Sequence, residues 1–266
     1  MLKVCLKILV LLDNKLFGVL YSKMKRLNRV GEKLTTNQGY EIEIINYINS
    51  KEITVQFNDL HKTVVSGVRY GDIKGLRNPN HLSHFNIGFL GQGYYNMKEH
   101  PKAYIKWRGM LERCYCKKYH SKKPTYIGCS VADDWHNFQN FAQWFYENNT
   151  ESFELDKDIL LKENKIYSPK TCCFVPSEVN VLFTKNIRRG KYPVGVSLHR
   201  EGKFQASMSV NNKQIYLGLY NTPEEAFQVY KTAKEKYIKE VADKWKDQII
   251  DKVYEAMYNY QVEITD

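Results

Sequence analysis

The chain has 266 residues, 43% of them hydrophobic and 14% aromatic, which is enough apolar material for packed cores and leaves room for two or three small domains. Its 40 Lys and Arg against 29 Asp and Glu give a net charge of +11 and a pI near 9.2. A polyanion is therefore the default partner, a merely basic soluble protein being the bland alternative, and the absence of a long uninterrupted apolar run excludes a membrane span.

Residues 1–23 differ in character from the rest of the chain. Cys5 to Leu12 is apolar and faintly like a signal peptide, but it is short, is broken by Lys7 and lacks a small-residue cleavage site. Met24 opens a basic stretch, so 1–23 is expected to be a leader or spurious extension, with a weakly ordered helix as the alternative. Residues 24–76 carry strand patterns at Tyr40–Ile45, Ile53–Phe57 and Thr63–Tyr70, with a turn at Asn49–Ser50. They predict a small β-barrel-like module of the Src-homology type, serving as an accessory DNA contact or a spacer. Residues 77–103 are a connector whose glycines (Gly88, Gly91, Gly93) and aromatics (Phe85, Phe89, Tyr94, Tyr95) predict an irregular segment packed on its neighbours.

Residues 104–183 form the middle module. Tyr104, Trp107, Leu111 and Cys114 recur at helical spacing, and a second helix is expected over Asp134–Asn148. Its Trp135, Phe138, Phe141, Trp144 and Phe145 are core candidates. The charged run Lys117–Lys123, with His120 inside it, is a solvated loop or a phosphate contact. Six cysteines form no Cys-x-x-Cys pair, which favours buried free thiols over a structural zinc site.

The last third is the most informative. Residues 184–190 are a short basic linker. From 191 to 246 three short strands (195–198, 203–210 and 214–220) precede one long helix. Asn211-Asn212-Lys213 suits a tight turn because Asn tolerates positive φ. Thr222, Pro223 and Glu225 spell a capping box with proline at the first helical position. Ala226, Tyr230, Ala233, Tyr237 and Val241 give that helix an apolar face to lay on the sheet. The other sheet face is left with Ser197, His199, Gln205, Ser207, Ser209 and Tyr216, side chains that can reach base edges or phosphates. Arg200, Lys203 and Lys213 add charge nearby, and 184–246 holds 13 Lys and Arg against 6 Asp and Glu. In the tail, 247–266, Ile249, Ile250, Val253, Tyr254 and Met257 make an apolar stripe that either packs back on the chain or pairs with a second copy in a homodimer.

The run GV…GKF.A…N.K.IYLGLYNTPEEAF..Y..A resembles the APETALA/ethylene-response-factor type of DNA-binding domain in the form found in phage and homing-endonuclease proteins. The resemblance covers about sixty residues and implies a three-stranded sheet laid into the major groove of double-stranded DNA. It also implies that a linker with Lys185, Arg188, Arg189 and Lys191 follows the phosphate backbone. Plant members carry several arginines where this chain has Ser197, His199, Ser207 and Ser209, so bidentate arginine–guanine readout is missing there and weaker or less selective binding is implied.

In the middle module, W..M..RC…Y.GCSV…W..F..F followed by LDKDI…N..YSP.TC.FVP…N resembles phage-encoded His-Asn-His (HNH) endonuclease-like proteins over about 75 residues. In that family a strand carries an Asp-His pair, the His deprotonates water, and a divalent cation such as Mg stabilises the scissile phosphate. Asp156 matches the Asp, Asn164 or Thr171 lies near the middle position, and Asn180 lies near the helix position. Lys157 stands where the catalytic His belongs. A lysine with an ordinary pKa of about 10.4 is a poor base at neutral pH, and the flanking Asp156 and Asp158 favour its charged form.

The fold expected is α+β and multidomain: the small β module, a central ββα-type nuclease-like module with flanking helices, and a C-terminal three-stranded antiparallel sheet on one helix. Three functions are compatible with it. The first is a phage or prophage DNA-binding protein in the bacterial host cytoplasm, its nuclease module degenerate and Lys157 touching phosphate. The second is a metal-dependent homing endonuclease using Asp156, Asp158 and Asn180 as ligands and His136 or His120 as base. The third is a non-enzymatic protein whose basic face binds an acidic protein partner.

Overall fold

The computed structural model describes residues 28–148, 152–184, 190–211, 213–264 and 266; the expected leader at 1–23 lies outside them. The architecture is mixed α+β with several small sheets, and the chain divides into two compact units between His81 and Leu82.

The first unit is one antiparallel sheet in the order β1 (Lys33–Thr35), β2 (Glu41–Asn49), β3 (Glu52–Phe57), β4 (Val64–Val68). Alternation decides its faces: Ile42 and Ile44 on β2 oppose Phe57 and Val55 on β3 and are buried, whereas Glu41 and Glu43 are exposed. The expected barrel is not closed. β1 is three residues long and pairs only with β2, and the apolar face is covered instead by the 3-10 turn Tyr70–Gly75, which buries Ile73.

In the second unit the connector and middle residues pack around α1 (Pro101–Tyr115) and α3 (Phe138–Asn148); α2 (Lys117–Lys122) is a short exposed helix between them. Trp107, Trp135, Phe138, Phe141 and Phe145 are buried, and the Trp107 indole N–H donates to the Trp135 carbonyl at 2.7 Å. The helix expected from Asp134 starts later. Asp133–His136 is a 3-10 turn and Asn137 is extended, because the backbone there pairs with the connector: Phe89 N donates to His136 O and Phe138 N to Phe89 O. Gln139 pins the connector further, donating to the carbonyls of Leu90 and Tyr95. Gly88 lies so close to the core that a Cβ would fall 2.4 Å from Leu111.

Two short pairings complete this part of the chain. β5 (Ser130–Val131) runs parallel to β7 (Ile166–Tyr167), and β6 (Glu154–Asp156) runs antiparallel to β8 (Cys173–Val175), which leads into α4 (Ser177–Leu182). Cys114, Cys129, Cys172 and Cys173 are buried free thiols in this region, and burial pushes the Cys114 and Cys172 thiols up to about 12.

The last part is a sheet in the order β11-β10-β9, with β9 Val196–Leu198, β10 Phe204–Val210 and β11 Lys213–Tyr220, followed by α5 (Pro223–Trp245). Both halves of the capping box form: Thr222 Oγ1 accepts from Glu225 N, and the Glu225 carboxylate accepts from Thr222 N. The buried face of α5 is Ala226, Phe227, Tyr230, Ile238, Val241 and Ala242.

The tail packs back on the chain. α6 (Asp251–Tyr258) lies on α5, and Ile249, Val253, Met257 and Val262 are buried while Ile250 is exposed. A single apolar core thus runs from Ala103 to Val262 and includes both the middle residues and α5. Polar ties cross the same seam: Lys244 and Trp245 of α5 both bond to Glu178 of α4, and Lys162 pairs with Glu263 and Asp266. The strap at Val262 is held by its backbone, with its N–H on Glu235 and its carbonyl on Lys231.

Candidate nucleic-acid interface

The candidate interface is the sheet face turned away from α5. Ala206 at the centre of β10 is fully buried on the helix side, so its neighbours Gln205 and Ser207 point the other way. Across the ladder Gln205 faces Ser197 and Ser209 faces Gln214. A bulge between Ala206 and Ser207 makes Ser207 face Tyr216 and leaves Leu217 as the extra residue. Leu217 packs on the core and Tyr216 turns outward, 60% exposed. Gly218 allows this with φ 131°, a value side-chain-bearing residues avoid.

The register therefore brings Ser197, Gln205, Ser207, Ser209 and Tyr216 to one face, together with Gln214, whose amide donates to Ser207 Oγ at 2.7 Å. Gln214 shares this face by alternation from Tyr216, two residues on along β11. His199 departs from the group. Its Nδ1 accepts from Glu201 N and lies 3.9 Å from the Glu201 carboxylate, inside the hairpin turn that His199 N closes on Lys203 O. Arg200 and Lys203 are exposed on that hairpin, Lys213 is exposed at the start of β11, and Lys191 is exposed ahead of β9. Lys185, Arg188 and Arg189 lie outside the described residues.

β9 is held to the helix by a glycine. Gly195 has φ +75°, and a Cβ there would fall 2.1 Å from the ring of Tyr230 on α5. Its carbonyl accepts from Ser207 N at 2.9 Å, which ties strand spacing to helix contact.

The candidate residues of the middle region have a different character. Asp156 ends β6, and its Oδ1 accepts the N–H groups of Asp158 (2.7 Å) and Ile159 (2.8 Å). Burial raises the Asp156 carboxyl above its ordinary range, against the pull of those two bonds. Lys157 is 6% exposed. Its ammonium donates to Asp158 Oδ1 at 2.5 Å and to the Asn164 carbonyl at 2.7 Å, and lies 5.9 Å from the centre of the Tyr167 ring. Asn164, also buried, returns the contact by donating to the carbonyls of Lys157 and Ile166. Thr171 Oγ1 closes the same loop on the Ile166 carbonyl.

This arrangement corrects the expectation that Lys157 touches phosphate: its ammonium is directed inward and serves as the internal counter-charge of the 157–166 loop. The donor set fits a divalent cation poorly. One Asp158 oxygen already meets an ammonium, one Asp156 oxygen is occupied by two amides, and a metal beside Lys157 would face a fixed positive charge at close range. Among the described residues no group of three His, Cys, Asp or Glu side chains converges as a metal site. Asn180 is half-buried on α4 and gives its carbonyl to Thr184 Oγ1. Of the two alternative bases, His120 donates from Nε2 to the Arg113 carbonyl, and His136 lies 3.7 Å from the Asp133 carboxylate with its Nε2 buried and unpartnered.

No protein-family model, no curated protein and no solved structure matches the chain. Among the described residues no helix is long and apolar enough to cross a membrane.

Proposed function

We propose that this chain is a DNA-binding protein of phage or prophage type, acting in the bacterial host cytoplasm, that docks the outer face of β9–β11 on double-stranded DNA. The reading rests on one observation above all. Six uncharged polar side chains are exposed or half-exposed on one sheet face, with Arg200 and Lys203 exposed on the hairpin beside it. Basic groups beside the face suit phosphates, which supply most of the affinity and orient the protein. The polar centre suits base edges in the major groove, which is wide enough to admit a β-ribbon. Gln205 is the side chain best suited to bidentate contact with adenine, since the amide of Gln214 is committed to Ser207. The resemblance to the ethylene-response-factor type of domain points the same way.

The ββα region of Asp156, Lys157 and Asn180 acts in this reading as a nuclease-like scaffold without cleavage. Supporting this, the Lys157 ammonium engages one oxygen of Asp158, and the loop amides engage one oxygen of Asp156. A supercoiled plasmid incubated with and without magnesium or manganese, at low and moderate salt, tests both halves. A salt-sensitive gel shift with the plasmid left intact is expected. Metal-dependent nicking that an Asp156→Ala variant abolishes would overturn the non-cleaving half. Neither shift nor nicking would overturn the DNA reading and favour an acidic protein partner.

A further inference from the structure

A second basic surface lies outside the sheet. Residues 113–132 contain no Asp or Glu, yet include Arg113, Lys117, Lys118, Lys122 and Lys123. The four lysines sit on and just after α2, which buries none of its own residues. All four are exposed, and none forms an ion pair with a described carboxylate. A fifth ammonium joins them, since Lys165 Nζ donates to the Thr125 carbonyl at 3.0 Å, beside the turn Pro124–Tyr126.

The helix carrying these charges is anchored. His120 Nε2 donates to the Arg113 carbonyl of α1 at 2.8 Å, Lys123 N donates to Tyr119 O, and the Tyr119 ring meets Tyr126 edge-on at 5.7 Å. The contrast with α5 is informative. There the solvated face mixes signs, with Lys231 near Glu235 and Lys236 near Glu240 at i,i+4. A face that serves only solubility takes that mixed form. Four lysines on α2 and its C-cap, none of them ion-paired with a described carboxylate, repel one another and favour a polyanion.

The chemistry of the patch selects among polyanions. The exposed side chains of α2 and its C-cap are Lys117, Lys118, Ser121, Lys122 and Lys123, with no apolar centre, whereas protein interfaces have an apolar core and are depleted in lysine. Lysines without an apolar core are suited to phosphates spaced along a strand. We propose that α2 and the turn after it form a second, sequence-independent phosphate contact that engages the duplex backbone together with the sheet. This inference rests on the DNA-binding reading and gives the nuclease-like region a task that the inward-facing Lys157 does not perform.

The test is the salt dependence of binding to a thirty-base-pair duplex, measured by fluorescence anisotropy on the full chain. The quadruple variant Lys117→Gln, Lys118→Gln, Lys122→Gln, Lys123→Gln is compared with wild type. Each phosphate contact contributes about 0.9 to the slope of log K against log salt, so the slope should shrink by about three to four. The affinity lost between about 50 and about 200 mM salt should then shrink by about a hundred-fold. Because these lysines are exposed and unpaired with carboxylates, the melting curve should not move; a Gln205→Ala variant should lower affinity with little change of slope. An unchanged slope in the quadruple variant, with wild type still bound, would overturn the second contact and leave the sheet reading intact. No binding by wild type at low salt would overturn both. Binding to polyglutamate as tight and as salt-sensitive as to DNA would instead assign the patch to an acidic protein.

Discussion

The sheet β9–β11 and the loop at 157–166 are both rich in polar side chains, and they use them in opposite ways. On the sheet, Ser197, Gln205, Ser209 and Tyr216 spend little of their hydrogen-bonding capacity inside the protein, so it remains available to a partner. In the loop, Asp156, Lys157 and Asn164 spend theirs on one another and on the backbone. Polarity by itself therefore says little about function; what matters is whether the donors and acceptors are already satisfied. Lys157, buried and bonded to Asp158 and to the Asn164 carbonyl, is a structural member of that loop.

The sharpest way to break this comparison is to disturb what holds the sheet in place. Gly195→Ala puts a side chain at φ +75° and into the Tyr230 ring. Strain and overlap together should cost about 3 kcal/mol, read as a lower urea midpoint, and DNA binding should fall with it. Next in size, Lys157→Met leaves Asp158 and the Asn164 carbonyl without their ammonium; since Asp158 is partly solvated, a loss of about 2–3 kcal/mol is expected. Residual DNA affinity at a temperature where the variant is folded should match wild type. A variant that folds normally but loses DNA binding would return Lys157 to the interface.

Asp156 sharpens the contrast. Asp156→Ala removes the acceptor of two backbone N–H groups and should cost about 1–2 kcal/mol. Asp156→Asn keeps the acceptor and discards a buried charge, so its stability should stay within about 0.5 kcal/mol of wild type. An equal loss in both variants would show that the charge itself is needed.

Smaller still is a pH effect at the seam between α4 and α5. The bond from Lys244 holds the Glu178 carboxyl below its usual range; burial opposes this, and the Trp245 indole adds to the lowering. A depressed carboxyl contributes stability above the ordinary glutamate pKa of about 4.3, and that stability is lost as pH falls through the folded value. Asp156 has the reverse sign, because its raised carboxyl makes stability fall as pH rises from the ordinary aspartate range through the folded value. Urea midpoints across acid pH should thus lose part of their acid sensitivity in Glu178→Gln, by about 0.5 kcal/mol for so exposed a pair, and gain some in Asp156→Asn. The smallest stability effects belong to Gln205→Ala and Ser207→Ala, within about 0.5 kcal/mol by melting, while DNA affinity should drop about five-fold or more.

Local signals specify the sheet and helix well. The capping box at Thr222–Glu225 and the strand alternation around Ala206 each act over a few residues, and the strands and α5 form within a residue of where those signals put them. The loop at 157–166 is less legible because its meaning is set by contacts between distant side chains. Lys157 has the composition of a surface residue and becomes internal only when Asn164 and Tyr167 fold over it. β1 is too short to show a pattern, and the Lys162–Asp266 pair joins residues more than a hundred positions apart. The bulge at Leu217, which breaks the register between Ala206–Gly218 and Ser207–Tyr216, is what alternation counting does not detect.

The strap at Val262 and the shared core from Ala103 to that residue have a practical corollary for anyone dissecting the molecule. A fragment cut at 191–246 would carry Phe227, Ile238, Val241 and Ala242 without the surfaces that cover them, and would be prone to self-association. The natural place to cut is between His81 and Leu82, where the two compact units divide. From that point to the last described residue, the sheet β9–β11 and the region around Asp156 and Lys157 should melt as one cooperative block, with a single calorimetric transition.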